Sequence, residues 1–358
     1  MGTRGLILGA ALAALSFAGA AAAQEAAPTA VDQTLAPYAS ARDSVRLADG
    51  RMIHLVCMGQ GSPVVILTAG AGDWSITWSK VQPAVAAKTR VCAWDRPGFG
   101  FSGFSPKAPT VDNATTDLEA ALAGGGIAGP YVVVGHSLGG YESVLLKDRQ
   151  PANVVGMVLV DPSIPDQAAR MDRAAPAILQ WMRDHPSPFT ALLQKCAAGL
   201  RAGTIRHGGP DPDGCLHPQW PAIYPPELRA AFEKQEADAA PEAIASTLDT
   251  MVYFGSPSLL EQDSKLVIKP DRNYGSMPLV VLTAGVFEGP PDFSDAAKAG
   301  VPAQRAEWQS GHDAYAALST RGVNRTVAGS PHDIQHVKPQ AVIDAIDEVV
   351  DAARRQTR

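Results

Sequence analysis

The stretch YVVVGHSLGG, residues 131–140, constrains the fold more than any other part of the sequence. Its aromatic and β-branched start predicts a buried strand, and the residues that follow Ser137 predict a helix. Gly135 and Gly139 stand two residues before and two residues after Ser137, where larger side chains would collide with the neighbouring strand or helix. The pattern therefore predicts a sharp strand-turn-helix, an elbow that presents the Ser137 hydroxyl at the carboxyl edge of a sheet.

Residues 1–23 predict an export signal rather than part of the fold. Arg4 is followed by an apolar run over residues 6–18 and by three alanines at 21–23, which is the order of a secretory signal and its cleavage site. The apolar run is too short to span a bilayer comfortably, so we expect no stable membrane span after cleavage; the alternative is a retained anchor. Residues 24–43 predict a loose leader, and we expect a secreted or periplasmic protein of bacterial origin.

Size and charge narrow the range of partners. About 320 residues remain after such a signal and leader, enough for one large domain with an insertion. With 46% hydrophobic and 18% charged residues, the chain has the composition of a globular protein. The net charge of −6 favours neither nucleic acid nor an anionic membrane as a partner.

Four cysteines, Cys57, Cys92, Cys196 and Cys215, fit export into an oxidising compartment. Three pairings are possible in principle. The first two cysteines lie in strand-like segments of the N-terminal half and the last two lie in the central part of the chain, so we favour Cys57–Cys92 and Cys196–Cys215. None of them has the C-x-x-C spacing of metal ligands, and no metal site is predicted.

Strands and helices alternate along most of the chain, which predicts an α/β fold with a mainly parallel eight-stranded sheet and helices on both faces. Asp49-Gly50 interrupts the run at 44–57 and marks an antiparallel hairpin. Further strands are predicted at residues 63–67, 90–94, 131–134, 154–160, 278–283 and 324–327. Helices are predicted at residues 75–88 with a break at Pro83, 111–123, 138–147, 303–318 and 339–354.

The segment at residues 163–274 interrupts this alternation. It holds helical stretches and a proline-rich part at residues 210–226, but no convincing buried strand. We interpret it as a mostly helical lid inserted into an α/β core that comprises residues 44–162 and 275–358.

A serine hydroxyl needs a base that removes its proton, and that base is nearly always an imidazole held by a carboxylate. For a nucleophile on this type of turn, the expected order along the chain is Ser, acid, His. Of the eight histidines, His332 is the strongest candidate, because it lies between the last strand and the last helix and thus at the same sheet edge as Ser137. His336 is second, and His136 is expected to point away from the nucleophile and to pack in the interior.

Two carboxylates compete for the place behind His332. Asp161 ends the strand after the elbow helix, and Glu288 lies in the loop after the strand at 278–283, so both are at the right edge of the sheet. The alternative role of Asp161 is to cap local N–H groups at the hinge of the lid, and that of Glu288 is a solvated loop charge. Spacing alone slightly favours Asp161.

An oxyanion formed during acyl transfer needs two preorganised hydrogen-bond donors. The backbone N–H of Leu138 follows the nucleophile directly and lies at a helix N-terminus. We expect the second donor in the glycine-rich loop after the strand at 63–67, where we select the N–H of Ala71. The alternative is that Gly70 and Gly72 serve only a tight turn in this loop.

Six motifs occur in an order that resembles one family. They are ILTAGAG (66–72), DRPGFGFS (95–102), GHSLGG (135–140), LVDP (159–162), PLVVLTAG (278–285) and SPHDIQ (330–335). With these motifs the chain looks like a member of the α/β-hydrolase superfamily over residues 45–357 outside the lid, similar to secreted bacterial members with a cysteine before the first glycine-rich strand. The resemblance implies a Ser–His–acid hydrolase with a helical lid after the sixth strand.

The sequence departs from the family pattern in two places. The usual His-Gly before the oxyanion loop is Ala69-Gly70 here. The usual Gly-x-x-Asp after the seventh strand ends in Glu288, so the commonest acid position is either filled by Glu288 or vacated to Asp161, the alternative at the end of strand six. Asp95 resembles a structural organiser of its loop and not a member of the triad.

These residues predict hydrolysis of carboxylic esters through an acyl-enzyme, without a cofactor. Relatives that act on epoxides or haloalkanes carry Asp at the elbow, which disfavours those reactions for a chain with Ser137. An amidase or aminopeptidase, a cofactor-free perhydrolase and a catalytically silent binding protein are the alternatives. An aminopeptidase would need a lid carboxylate for the substrate amine, for which Glu233, Glu236 and Asp238 are candidates, although such residues usually form a solvated helix face.

Residues that contact substrate are the part that the sequence constrains least. Trp74 near the oxyanion loop, and Trp181 and Phe254 in the lid, are candidates for an apolar acyl pocket, and the alternative for each is a place in the protein core. The same two roles are open to further lid residues: Met182, Phe189, Trp220, Tyr224, Phe232, Met251 and Tyr253. The expected partner is a small-molecule ester or amide.

Overall fold

The computed structural model describes residues 31–40, 44–185, 187–216, 224–251, 257–287 and 289–356. The strands are β1 (Ser44–Arg46), β2 (Met52–Met58), β3 (Val64–Thr68), β4 (Val91–Trp94), β5 (Tyr131–His136), β6 (Val154–Val160), β7 (Leu279–Ala284) and β8 (Gly322–Val327). The helices are α1 (Gln82–Ala86), α2 (Val111–Gly124), α3 (Gly139–Arg149), α4 (Gln167–Ala174), α5 (Pro176–Asp184), α6 (Pro188–Arg201), α7 (Pro226–Asp238), α8 (Pro241–Met251), α9 (Pro257–Val267), α10 (Asp295–Ala316), α11 (Ile334–Val337) and α12 (Pro339–Gln356). Short 3₁₀ helices span Gln33–Tyr38 and Ser75–Trp78.

These strands form one sheet in the order β1-β2-β4-β3-β5-β6-β7-β8. β2 is antiparallel to both β1 and β4, and the strands from β4 to β8 along the sheet are parallel. β5, which leads into the elbow, lies between β3 and β6. The predicted α/β fold with a mainly parallel eight-stranded sheet is confirmed.

Helices cover both faces of the sheet because its central strands are apolar on both sides. On one face, Ile66 and Val133 pack in a cluster with residues of α2, α3 and α10. On the other face, their neighbours Val65 and Val134 pack against α1 and α12. Each of these four side chains is at most 1% exposed, and burial of one such side chain contributes about 1.5–3 kcal/mol.

Two glycines allow α3 to approach the sheet closely at the end of β5. A Cβ on Gly135 would lie 2.2 Å from the carbonyl oxygen of Gly139, and a Cβ on Gly139 would lie 2.5 Å from that of Thr68. Both distances are far below van der Waals contact, and a backbone oxygen cannot rotate away as a side chain can. The collision that the sequence predicts for larger residues is therefore one with backbone atoms.

The helices α4 to α9 lie between β6 and β7 and form the helical insertion that the sequence indicates. In the described part of this segment, every regular element is helical. Side chains of α6 and α8 share a buried apolar cluster with Trp74 and Phe99, which belong to loops of the sheet. The insertion thus packs above the carboxyl ends of the strands.

One predicted helix has a different form. Residues 75–88 contain the 3₁₀ helix Ser75–Trp78 and the short helix α1 instead of one helix broken at Pro83. Pro83 lies in the first turn of α1, where a missing N–H costs no hydrogen bond, so it helps to start a helix rather than to interrupt one. A second difference is that α10 begins at Asp295 and not near 303, because the Ser294 side chain caps it by accepting from the Ala297 N–H.

The structure pairs Cys57 with Cys92, which face each other on β2 and β4, and Cys196 of α6 with Cys215. These are the pairings that the sequence favours. The predicted signal at residues 1–23 lies outside the described residues. None of the helices in the described ranges combines the length and the apolar character needed to cross a membrane.

We expect Gly135→Ala to lower the free energy of unfolding by roughly 1–3 kcal/mol, because the added methyl group has to displace backbone at the start of α3. Urea or thermal unfolding measures the change. Gly103→Ala is the matched control, since a Cβ there would lie 3.7 Å from its nearest neighbours, at an ordinary contact distance. Equal stabilities of the two variants would contradict the prediction.

Candidate active site

β5 leads Ser137 into the turn before α3. The φ angle of Ser137 is +50°, in the left-handed region that residues other than glycine rarely adopt. Backbone hydrogen bonds hold this residue on both sides: its N–H donates to the Val160 carbonyl at 3.1 Å, and its carbonyl accepts from the N–H groups of Gly140 and Ser163 at 2.9 Å each. The turn is thereby fixed to the end of the neighbouring strand β6.

Asp161 and His332 meet beside this turn. Asp161 follows β6 and His332 lies in the loop after β8, and the Asp161 Oδ2 atom is 2.6 Å from the His332 Nδ1 atom. A carboxylate only accepts hydrogen bonds, so Nδ1 carries the proton and Nε2 of the neutral ring keeps its lone pair. The Asp161 side chain is 3% exposed, whereas that of His332 is 36% exposed.

The pKa values of the two groups are shifted in opposite directions. Burial by itself raises the pKa of Asp161, but the hydrogen bond and the charge of His332 outweigh it, and the pKa falls to about 2. Burial also lowers the pKa of His332, but the hydrogen bond and the charge of Asp161 outweigh that effect, so the pKa of His332 is raised. Asp161 is therefore ionised at every ordinary pH and stabilises the imidazolium form of His332.

One face of α10 holds Asp161 in place. Trp308, His312 and Tyr315 bind three successive residues after β6: Trp308 Nε1 donates to Asp161 Oδ1 at 3.0 Å, and the other two donate to the next two carbonyl oxygens at 2.9 Å each. The Ala284 N–H also donates to Asp161 Oδ1, at 2.8 Å. These three residues are not among those that the sequence predicts for the site, although their i, i+4, i+7 spacing is that of one helix face.

His136, next to Ser137, packs in the interior as expected. It is 3% exposed, and its ring centroid lies 4.7 Å from that of His332. Burial, and next the nearby His332, keep its pKa well below the usual range, so the ring is neutral. His336, the second candidate for the base, lies with Nε2 at 2.8 Å from the Thr77 hydroxyl oxygen.

Both predicted oxyanion donors belong to segments that flank the elbow. Leu138 directly precedes the first residue of α3, so its N–H lies at the positive end of the helix dipole. Ala71 packs against the small apolar cluster that contains Leu138. A Cβ on Gly70 would lie 3.3 Å from the Cβ of Ser137, so the backbone of this loop runs along Ser137.

Asp95 binds three groups from separate segments. Its Oδ1 accepts from the Ser75 N–H at 3.0 Å, and its Oδ2 accepts from the Phe101 N–H at 3.0 Å and lies 2.6 Å from His54 Nδ1. Asp95 is 1% exposed. These contacts fit the role of a loop organiser that the family resemblance implies for it.

Of the remaining candidate residues, the structure describes Trp74 and Trp181. Glu288 and Phe254 lie outside the described residues. Trp74 is 3% exposed, and its ring packs against Phe99 and Tyr224 with centroid distances of 6.2 Å in both cases. Trp74 is thus part of the apolar contact between the loop after β3 and the helical insertion.

Trp181 lies on α5, where it stacks on His185 at 4.6 Å and contacts the edge of Phe293 at 4.7 Å.

A pocket opens beside Leu138, between the start of α2 and helix α8, and its walls include Val111, Thr247 and Thr250. Among the described residues, no group of three or more His, Cys, Asp or Glu side chains is arranged to hold a metal ion.

A family model for the alpha/beta hydrolase fold matches residues 62–200, which contain the loop after β3, the elbow and Asp161. The chain has the α/β-hydrolase fold. It is 23% identical to the uncharacterized protein YqjL of Bacillus subtilis over 298 residues, which are 83% of this chain and 87% of that protein.

Two further proteins resemble this chain. Lipase LipV of Mycobacterium tuberculosis is 29% identical over 144 residues, which are 40% of this chain and 54% of the lipase. The structure of a thermophilic esterase from Thermogutta terrifontis has a TM-score of 0.50 and 18% identity, and covers 87% of this chain and 98% of that chain. At this level of identity the structural likeness shows a shared fold.

We expect Trp308→Phe to lower kcat roughly 10- to 100-fold with little change in KM, because a buried carboxylate loses one hydrogen-bond donor and no longer holds His332 in one orientation. Steady-state kinetics of an ester substrate measure the loss. Tyr315→Phe is the matched control, since it removes a hydrogen bond from the same face of α10 but leaves Asp161 with its donors. In an Asp161→Asn background the Trp308→Phe change should have no further effect; additive losses would contradict the prediction.

Proposed function

We propose that this protein cleaves carboxylic esters through an acyl-enzyme intermediate, with Ser137 as nucleophile, His332 as general base and Asp161 as the acid that orients the base. The observation that carries the proposal is the 2.6 Å contact between a buried aspartate and a partly exposed histidine beside a strained serine. That combination provides the base and its orienting group at the same sheet edge as the nucleophile.

In the first half-reaction the Ser137 hydroxyl attacks the ester carbonyl while Nε2 of His332 takes its proton. Asp161 stabilises the imidazolium that forms, through the hydrogen bond at Nδ1. The N–H groups of Leu138 and Ala71 bind the oxyanion of the tetrahedral intermediate, whose charge is thereby placed near the positive end of α3. His332 then gives the proton to the leaving alcohol, and the acyl group remains on Ser137.

In the second half-reaction the same groups act on water. His332 takes a proton from the water molecule, the resulting hydroxide attacks the acyl carbonyl, and the oxyanion is bound again by the two N–H groups. Collapse of the intermediate releases the carboxylic acid, and the proton on His332 returns to Ser137. The enzyme needs no cofactor for either step.

The proposal that the substrate is a carboxylic ester has support besides the contact between Asp161 and His332. A pocket with Val111, Thr247 and Thr250 in its walls adjoins Leu138, the residue of one oxyanion donor. Two of the similar proteins are named a lipase and an esterase. We further propose that the protein is exported, since two disulfides accompany the signal expected at residues 1–23.

Hydrolysis of p-nitrophenyl acetate and butyrate tests the proposal. We expect the wild-type protein to hydrolyse both esters and to react with a fluorophosphonate probe at Ser137, and Ser137→Ala to lose both reactions because the nucleophile is absent. Asp161→Asn should lower kcat about 10⁴-fold, since the base loses its orienting group, while Glu288→Gln should lower it little. A wild-type protein without a burst, without turnover and without labelling contradicts the proposal. The reverse result for the two acid variants would assign the triad to Glu288.

The pH dependence of kcat/KM tests the role of His332 separately. The reaction needs the neutral imidazole, and the pKa of His332 is raised above its ordinary value of 6.5, so activity should fall as the pH drops through a midpoint above 6.5. In Asp161→Asn the negative charge is gone, so this midpoint should move to lower pH. An unchanged midpoint in Asp161→Asn would mean that another group controls the acid limb.

A further inference from the structure

The carbonyl groups of the loop after β3 are directed at one guanidinium group. Arg96 Nη1 donates to the Gly70 carbonyl at 2.7 Å and Nη2 donates to the Ala69 carbonyl at 2.5 Å. Nη1 also lies 3.4 Å from the Asp73 carbonyl oxygen. Arg96 is 4% exposed, so these charge-assisted hydrogen bonds are shielded from water.

The bond to Gly70 determines the direction of the neighbouring N–H group. The peptide between Gly70 and Ala71 is not among the cis bonds of the described chain, and in a trans peptide the carbonyl and the following N–H point in opposite directions. Because the Gly70 carbonyl is directed at Arg96, the Ala71 N–H is directed away from the guanidinium. Gly70 itself lies against Ser137, which brings this peptide to the elbow.

Glu142 holds the guanidinium from the opposite side. Its Oε1 accepts from Arg96 Nε at 2.6 Å and its Oε2 accepts from Arg96 Nη2 at 2.9 Å, and the Thr68 hydroxyl donates to the same carboxylate. Glu142 is 1% exposed and lies in the first turn of α3, the helix that begins after Leu138. One ion pair therefore connects the segments that carry the two oxyanion donors.

We propose that Arg96, held by Glu142, is the positioning residue of the oxyanion hole. It keeps the Gly70–Ala71 peptide in the orientation in which the Ala71 N–H, and not the Gly70 carbonyl, is available to the developing negative charge. A rotated peptide would cost the hydrogen bond to the guanidinium and would direct a carbonyl oxygen at the oxyanion. This inference rests on the proposed function, and it assigns to Arg96 the anchoring of a loop that has Ala69-Gly70 where the family has His-Gly.

Arg96→Lys tests the inference, because lysine keeps the charge but cannot bind Glu142 and two carbonyl groups at once through a planar fork. We expect kcat for p-nitrophenyl butyrate to fall on the order of 10²-fold with less than about a threefold change in KM, since the lost interaction matters mainly in the transition state. The affinity for a trifluoromethyl ketone, which forms a tetrahedral adduct with the serine, should fall in parallel with kcat/KM. Each rate is divided by the concentration of active sites titrated with a fluorophosphonate, so that unfolded protein does not lower the kcat value.

Arg51→Lys is the matched control. Arg51 is also a largely buried arginine in a two-pronged ion pair, with Asp117 Oδ2 at 2.6 Å and Oδ1 at 2.7 Å, but it connects the turn before β2 to α2 and reaches neither donor. It should change the unfolding temperature without a change in kcat. If Arg96→Lys does not fold, Glu142→Gln provides the second variant, with an expected loss in kcat of roughly 10-fold at unchanged KM.

The results separate the inference from the proposed function. Suppose that the wild type hydrolyses the ester. If Arg96→Lys or Glu142→Gln then keeps its kcat, the inference is wrong and the proposed function stands. The same holds if the variant has a lower kcat together with a changed KM and a lower stability. If the wild type reacts with the fluorophosphonate but hydrolyses no ester, the ester proposal fails, and the labelling rates of the same variants still decide the role of Arg96. A wild type that neither reacts nor hydrolyses contradicts both.

Discussion

The close approach of α3 to the sheet is the constraint on which the candidate site depends. Gly135 and Gly139 leave no room for a side chain between the helix and strands β3 and β5, and the chain can make this turn only if Ser137 takes a left-handed conformation. The same turn places the N–H of Leu138 at the start of α3. Ser137 and the N–H of Leu138 are thus placed by a single steric condition, and the cost of the strained residue is offset by three backbone hydrogen bonds.

Two buried charged groups, Asp161 and Arg96, lie beside this turn, and each forms several hydrogen bonds. Asp161 accepts from His332, Trp308 and the Ala284 N–H, while Arg96 binds Glu142 and the carbonyl groups of the loop after β3. Isolated charges in the interior would be strongly destabilising, so such ligation is what makes their burial tolerable. Because the partners come from different elements, the two charges also connect the sheet edge, α3 and α10 into one rigid frame around Ser137.

Local signals in the sequence were sufficient for most of the architecture. Apolar β-branched runs predicted the strands, and the Asp49-Gly50 turn predicted the hairpin, because both depend on the chain within a few residues. Pro83 was misread as a break, since a proline in the first turn of a helix and one inside a helix look alike until the hydrogen bonds are known. Arg96 and Trp308 were missed for another reason: Trp308 reaches Asp161 across 147 residues, and no pattern near either residue reports that contact.

The sequence by itself therefore determined the order of strands and helices, the sharp turn at Ser137 and the candidate base at the same edge. Those features follow from steric limits on the backbone and from burial of apolar side chains, which act over short stretches of chain. Only the tertiary structure decided that Asp161 lies within hydrogen-bond distance of His332, 171 residues away, and that Arg96 directs the loop after β3. Such contacts depend on how separate elements pack, and a difference of one or two ångströms in that packing makes or breaks a hydrogen bond.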